Sequence, residues 1–395
     1  MTAQARGRRA MPTVRCCCIV HVGGPILALS VLCRHLAATP DAEEVSGSKH
    51  CLSTYYPQSR SDFPALLNCL GLINEAVEVG VQAGVHAGSF LQGWQGRHLR
   101  LVDKWSPSGD LGDSSGSQMF YVDIANVHGE EIRRQHRSHC EARLAESIRS
   151  GRVDIIESDS TVAASRMQDG KLDFVYLDAR HDFAGVVADV RAWWPKVRVG
   201  GIFAGHDFVD GEFPEGDFFW RSALQAVLPG LEGHTHVTRE QNRYPSFFVI
   251  KTEDVAHLVP KSIQVETMAR RLYAQRSRYF RLWQDSTAGA EAASSFEASC
   301  KDACGRDCGE RARTFTPTQT VGSTLRPFAC RSVGEGAGGG RAEAGEPGAA
   351  ASDVCAAEMT LDVQAYLNVC VERCNVTCQQ RRELFSTFGS EILSV

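Results

Sequence analysis

Glu78 and Asp103 stand about 25 residues apart on either side of a glycine turn, Gly80-Val81-Gln82-Ala83-Gly84. Asp103 ends the short run Arg100-Leu101-Val102. A carboxylate at such a strand tip can accept two hydrogen bonds from the hydroxyls of a ribose. Glu78 then falls near the other end of the ligand, where it suits a cationic amine, directly or through water. Glycines between them let the backbone come close, because a side chain at Gly80 or Gly84 would block the approach. The spacing is G-x-x-x-G, not the G-x-G-x-x-G that aims a helix start at a pyrophosphate. These residues therefore point to a nucleoside without phosphates. Alone, Asp103 would read equally well as a solvated strand end.

Elements must place these groups. A partly apolar run over 73–79 reads as a strand, and a helix-like segment follows the turn at Ser89-Phe90-Leu91. The mostly apolar run over 153–156 leads into Ser158-Asp159-Ser160. A further strand ends in Leu177-Asp178-Ala179-Arg180-His181, followed by a helix over 186–194. Another runs through Gly200-Gly201-Ile202-Phe203-Ala204-Gly205 into His206-Asp207.

Taken in this order, the motifs resemble those of the class I S-adenosylmethionine-dependent methyltransferases. Within them the chain is most similar to the small-molecule O-methyltransferase-like branch, whose fourth strand ends in Asp-Ala-x-His and whose fifth ends in Gly-His-Asp. The resemblance spans about 65–251, roughly half the chain. It implies that Glu78, Gly80 and Gly84 cradle the methionine part of the cofactor, that Asp103 binds the ribose, and that Asp159 and Ser160 meet the adenine edge. Asp178 matches the acid facing the transferred methyl. In cation-dependent relatives that acid is a metal ligand, completed by an Asp-Asn pair after the fifth strand. Asp207 fits the Asp of that pair, but Phe208 stands where Asn is expected. Asp178 and Asp207 are the implied ligands of a divalent cation, and His181 or His206 could replace the lost one, since imidazole suits Zn or Fe and carboxylate suits Mg or Ca.

The implied chemistry is in-line methyl transfer from a sulfonium to an oxygen or nitrogen nucleophile. Holding donor and acceptor in line supplies roughly 7–11 kcal/mol at best. A hydroxyl acceptor also needs a base or a metal to help remove its proton. His181 or His206 is the natural base, with an ordinary pKa of about 6.5; either could instead be a strand-end histidine satisfied by a backbone carbonyl. Three readings stand: methylation of a small molecule or sugar with Asp178, His181 and His206 at the reacting end, an NAD or nucleotide-sugar enzyme on a Rossmann sheet, and a non-catalytic scaffold.

Past the fifth strand the pattern predicts an amphipathic helix over 218–227 and strands over 234–239 and 246–251. Two strands so closely joined must be antiparallel. The expected fold is α/β, a Rossmann-like seven-stranded, mostly parallel sheet with an antiparallel last strand, plus a cysteine-rich helical C-terminal region. Trp193, Trp194, Phe218, Phe219 and Trp220 either form core or line an acceptor pocket. A charged helix is expected over 130–148, and a Gly/Ser/Asp-rich loop over 109–118 with 119–126 as part of a lid.

The domain reading is a signal, anchor or targeting segment over 1–38, the methyltransferase domain over 60–252, a helical linker over 253–290 and a cysteine-rich helical hairpin over 296–385 with a low-complexity insert at 331–352. Arg6, Arg8, Arg9 and Arg15 precede a mostly apolar stretch from Cys16 to Cys33, as in a secretory signal or a single membrane anchor. The net charge of −5 offers no basic footprint for nucleic acid. Cys300, Cys304 and Cys308 recur at four-residue spacing, as do Cys370, Cys374 and Cys378. Each triplet forms a stripe on a helix, so two facing helices can be stapled where apolar residues are too few for a core. Zinc fits less well, because its sites favour C-x-x-C turns. Cys51 can pair with another cysteine, and Asn375-Val376-Thr377 is a glycosylation sequon. An oxidising compartment follows: the ER or Golgi lumen, anchored or not, or an organelle.

Overall fold

The computed structural model describes residues 42–105, 130–240, 244–286, 292–313 and 363–394. The stretch over 1–38, the loop and lid over 109–126 and the insert over 331–352 lie outside these residues. Among the described residues no helix is long and apolar enough to cross a membrane.

Helix α1 covers Ala42–Thr54 and α2 Phe63–Cys69. Strand β1 (Glu75–Val79) passes through the glycine turn into α3 (Val85–Gly93), and β2 is His98–Asp103. The charged helix expected over 130–148 is two, α4 (Glu130–Arg143) and α5 (Ala145–Arg149), broken at Leu144. Then come β3 (Val153–Glu157), α6 (Ser160–Ser165), β4 (Leu172–Leu177), α7 (Phe183–Trp193) and β5 (Val197–Gly205). A small hairpin follows, β6 (Asp210–Phe213) and β7 (Gly216–Phe219), ahead of α8 (Trp220–Val227). Strands β8 (His236–Val237) and β9 (Phe247–Ile250) lead to α9 (Glu253–Ala256), α10 (Val265–Arg276) and α11 (Arg278–Ser286). Two long helices come last among the described residues, α12 (Ala292–Arg313) and α13 (Val363–Leu393).

The main sheet has the order β3-β2-β1-β4-β5-β9-β8. Its first five strands are parallel, and β9 runs antiparallel to both β5 and β8. Seven strands, mostly parallel with an antiparallel end, agree with the sequence reading. Strand β4 is buried along its whole length, and its side chains alternate between two cores. Phe174 and Tyr176 meet α2, α3 and α4 on one face, while Val175 and Leu177 meet α7 on the other. Burial on both faces is why Phe174 to Leu177 read as a continuous apolar run after the buried Asp173.

Two local expectations fail. Phe218 and Phe219 belong to β7, not to the helix that follows, because the preceding Phe213-Pro214-Glu215-Gly216 turns the chain into a hairpin. The strand expected over 234–239 shrinks to two residues. The cysteine-rich tail is helical with facing cysteine pairs, as expected, and departs from expectation only in its packing. Cys300, Cys304 and Cys308 on α12 stand at bonding distance from Cys378, Cys374 and Cys370 on α13, with sulfurs 2.03–2.09 Å apart. These helices are not short of core, since Phe296, Phe385 and Ile392 join the same buried cluster as α7, α8 and Tyr273 of α10. Cys51 and Cys69 form a fourth pair across α1 and α2.

Candidate active site

Strand register decides which side chains meet. Val79 lies opposite Val102 and Leu177, and Leu177 lies opposite Gly205. Gly80, Asp103, Asp178 and His206 therefore leave the sheet side by side at its carboxyl edge. The strand order reverses between β1 and β4, where open α/β sheets leave a crevice for ligands.

The glycine turn is held by the protein itself. Gly80 has φ +85° and donates its N–H to the Val102 carbonyl at 2.9 Å. A Cβ there would lie 2.1 Å from the Asp178 carbonyl oxygen. Gly84 caps α3 at φ +69°, and a Cβ there would sit 2.8 Å from the Cys140 sulfur. Both glycines are expected to admit a ligand, yet the space a Cβ would take beside each is filled by protein. Asp103 organises the same turn. Its Oδ2 accepts the N–H of Val81 and Gln82, each at 2.8 Å, and its Oδ1 accepts that of Trp105 at 3.0 Å. Glu78 is buried, with Oε2 3.3 Å from His86 Nδ1. Neither nitrogen of His86 has a hydrogen-bond partner among the described residues. A buried carboxylate beside an imidazole without a proper hydrogen bond suits a stronger cationic donor, the part an amine would play.

Asp159 and Ser160 stand apart from each other. Asp159 precedes α6 and pairs with Lys104 Nζ at 3.0 Å. The Ser160 hydroxyl turns inward, donating to Asp189 and accepting from Trp193 Nε1. Trp193, Trp194 and Trp220 are fully buried core.

Beyond β4 and β5 four polar groups converge. Asp207 Oδ2 lies 2.8 Å from His181 Nε2, and its Oδ1 lies 2.8 Å from His206 Nδ1. Asp178 Oδ1 is 3.7 Å from His181 Nε2 and 3.9 Å from His206 Nδ1. One donor atom from each of Asp178, His181 and Asp207 falls within 4.8 Å of the others. Two carboxylates and an imidazole are a donor set suited to a divalent cation. Phe208 supplies nothing to it, since its ring packs on Phe247 at 4.8 Å. His181 stands between the two carboxylates and fills the third place.

Charge follows from this geometry. Burial opposes ionisation of Asp207, but His206 and His181 hold its carboxyl well below the usual range. Burial likewise disfavours the imidazolium of His206, yet Asp207 and Asp178 raise its pKa above the ordinary value. Asp182, ending the same motif, has a structural task. It accepts the N–H of Ala184 and Gly185 at the start of α7 and is clamped by Arg180.

Arg60 escaped the sequence reading. Its Nη1 lies 3.0 Å from Asp178 Oδ2. Burial works against its charge, but Asp178 raises the guanidinium pKa above its usual value. The Ser59 to Asp62 capping box that seats it is visible in the sequence; its partner, more than a hundred residues away, is not.

Residues 77–208 match the model of a family described as a methyltransferase domain. Among solved structures the chain is similar to a SAM-dependent O-methyltransferase from Thermotoga maritima, at 15% identity and TM-score 0.32, over 49% of this chain and 64% of that one. An O-methyltransferase from Bacillus cereus in complex with SAH is 12% identical with TM-score 0.33, over 55% and 94%. Spermidine synthase from Thermotoga maritima is 11% identical with TM-score 0.29, over 47% and 56%. No curated protein matches this chain.

Proposed function

We propose that this chain, whose residues 77–208 match the methyltransferase-domain family, methylates an oxygen of a small molecule or sugar, with S-adenosylmethionine as the donor. One observation supports this most directly: Asp207 holds two imidazoles, His181 and His206, beside Asp178 at the carboxyl edge next to the glycine turn. When bound, S-adenosylmethionine supplies an electrophilic methyl on a sulfonium. Glu78 would take the amine of its methionine tail, and Asp103 would offer the ribose hydroxyls the acceptor capacity left over from the Val81 and Gln82 amides. Asp178 would stand on the side of the transferred methyl. His181, oriented by Asp207, receives the proton of the acceptor hydroxyl, as a general base positioned by a carboxylate does. In the alternative arrangement Asp178, His181 and Asp207 would hold a divalent cation, which would lower the cost of that deprotonation in place of His181 acting as the base.

A second reading has its own support. The filled spaces beside Gly80 and Gly84, with Asp103 engaged by the turn, suit a methyltransferase-like scaffold that binds no cofactor. The close cysteine pairs favour an oxidising compartment, and we propose the secretory pathway over an organelle. A screen of metabolite pools with a labelled methyl donor tests the reaction. Label is expected to reach a non-nucleic-acid acceptor with wild type and not with His181→Ala. Transfer surviving EDTA would assign His181 as base over ligand, and no transfer to any pool would favour the scaffold.

A further inference from the structure

The β6–β7 hairpin is braced by both long helices of the tail. It carries Glu212 on β6, Glu215 in the turn and Asp217 on β7, the first two half-buried and the last fully buried. Asp217 is fully buried and takes the guanidinium of Arg381, itself fully buried on α13, with Nη2 at 2.5 Å and Nε at 3.2 Å. The second oxygen of Asp217 accepts the Tyr273 hydroxyl at 2.8 Å, and Arg381 also donates to the Phe213 carbonyl at 2.9 Å. Glu215 accepts two bonds of 3.1 Å from Arg311 on α12 and one of 2.8 Å from the Tyr244 hydroxyl. Because the cysteine pairs tie α12 to α13, Arg311 and Arg381 reach the hairpin as one unit.

The other side of this hairpin touches the reacting end. The Phe218 ring lies 4.7 Å from the His181 ring, and the Phe219 N–H donates to the His181 carbonyl at 2.9 Å. Tyr244 packs on Phe218 at 5.5 Å, and its neighbour Pro245 accepts the N–H of Phe208 at 2.9 Å. Phe208 directly follows Asp207. Two short routes therefore run from the helix pair to the His181–Asp207 pair, one through Asp217 and Phe218, the other through Glu215, Tyr244 and Pro245.

We propose that the cysteine-stapled helix pair is a positioning element of the reacting end: Arg381 and Arg311 set the β6–β7 hairpin and Tyr244, which in turn fix His181 and Asp207. The tail is then part of the site's framework and not an appended interaction module. Buried charge pairs fit such a task, since removing one partner leaves the other uncompensated and moves whatever it held. Arg381, Arg311 and Tyr244 are positioning residues, and none touches the reacting atoms. This inference goes beyond the methyltransferase reading and can fail separately from it.

The test uses the full oxidised chain and the variants Arg381→Met and Tyr244→Phe. Backbone amide exchange is read over 178–219, together with the carbon-bound proton signals of the His181 ring, which the neighbouring Phe218 ring shifts. Both variants are expected to speed exchange at the Phe208 and Phe219 amides about tenfold, with β1 to β3 unchanged, and to move the His181 signals toward free imidazole. Exchange rising only in α12 and α13, with 178–219 and the His181 signals as in wild type, would overturn the proposal. Should Arg381→Met unfold the whole chain, Tyr244→Phe, which removes a single hydroxyl, decides: wild-type exchange and signals there overturn it equally. Calorimetry with S-adenosylhomocysteine on the same samples reports on the methyltransferase reading alone.

Discussion

Arg60 Nη1 and Asp178 Oδ2 lie 3.0 Å apart, joining a turn near the start of the described chain to the acid at the tip of β4. The pair is partly solvated, with side chains 22% and 20% exposed. A cation at Asp178 would have to share that carboxylate with the guanidinium. Arg60→Ala is therefore expected to tighten binding of a divalent cation by about tenfold, as loss of a nearby like charge should. Titration with Mn2+ measures it, and equal or weaker binding in the variant would contradict a cation site at Asp178.

Gly80 and Gly84 differ in what surrounds them. Backbone of Asp178 and Ala179 crowds the first, and backbone cannot step aside, so Gly80→Ala should cost about 3 kcal/mol or more and abolish cofactor binding. At Gly84 the nearest atom is the Cys140 sulfur. Gly84→Ala should cost about 1–3 kcal/mol, and adding Cys140→Ala should recover part of it. Denaturant unfolding of the two single variants and the double variant measures the coupling. Strict additivity would show that the left-handed φ, and not the sulfur, sets the cost.

These glycines also show where sequence reading stops. The motifs around Glu78, Asp178 and His206 were legible because each is local and the strands carry alternating or continuous apolar patterns. The register that aligns Asp178 with His206 follows from parallel pairing. What fills the space beside Gly84 was not legible, because Cys140 arrives from a helix 56 residues away. The Arg60 partner and the arginines from α12 and α13 escaped for the same reason: an ion pair leaves no periodicity behind. Phe218 and Phe219 were misplaced because their apolar character suits a helix start as well as a hairpin strand.

Stability should depend on pH through Glu212. Burial, helped by Asp217, pushes its carboxyl up to about 7. The folded protein thus holds a proton that the unfolded chain, with its ordinary value of 4.5, has already released. That contribution is complete below the unfolded value and is lost as pH rises through the folded one. The denaturation midpoint is expected to fall between about pH 5 and about pH 8, and Glu212→Gln should flatten the slope. A wild-type midpoint that rises or stays level across this range would contradict the buried, protonated carboxyl.

Thiol chemistry distinguishes the cysteines. Burial, with Glu78 and Asp103 nearby, pushes the Cys140 thiol up to about 12, so it should be inert in the folded protein. After denaturation without reductant Cys140 is expected to react, while Cys300, Cys304, Cys308, Cys370, Cys374 and Cys378 stay blocked. Mass mapping of the labelled peptides checks this. Label on the helix cysteines would remove the staple.

The most direct measurement is calorimetry of S-adenosylhomocysteine with wild type and with Asp103→Ala. Saturable binding to wild type, weakened at least about tenfold in the variant, is expected if Asp103 grips the ribose while steadying the turn. Wild-type protein that gives no binding heat, or a variant that binds as tightly, would contradict the cofactor site on which the methyltransferase reading rests.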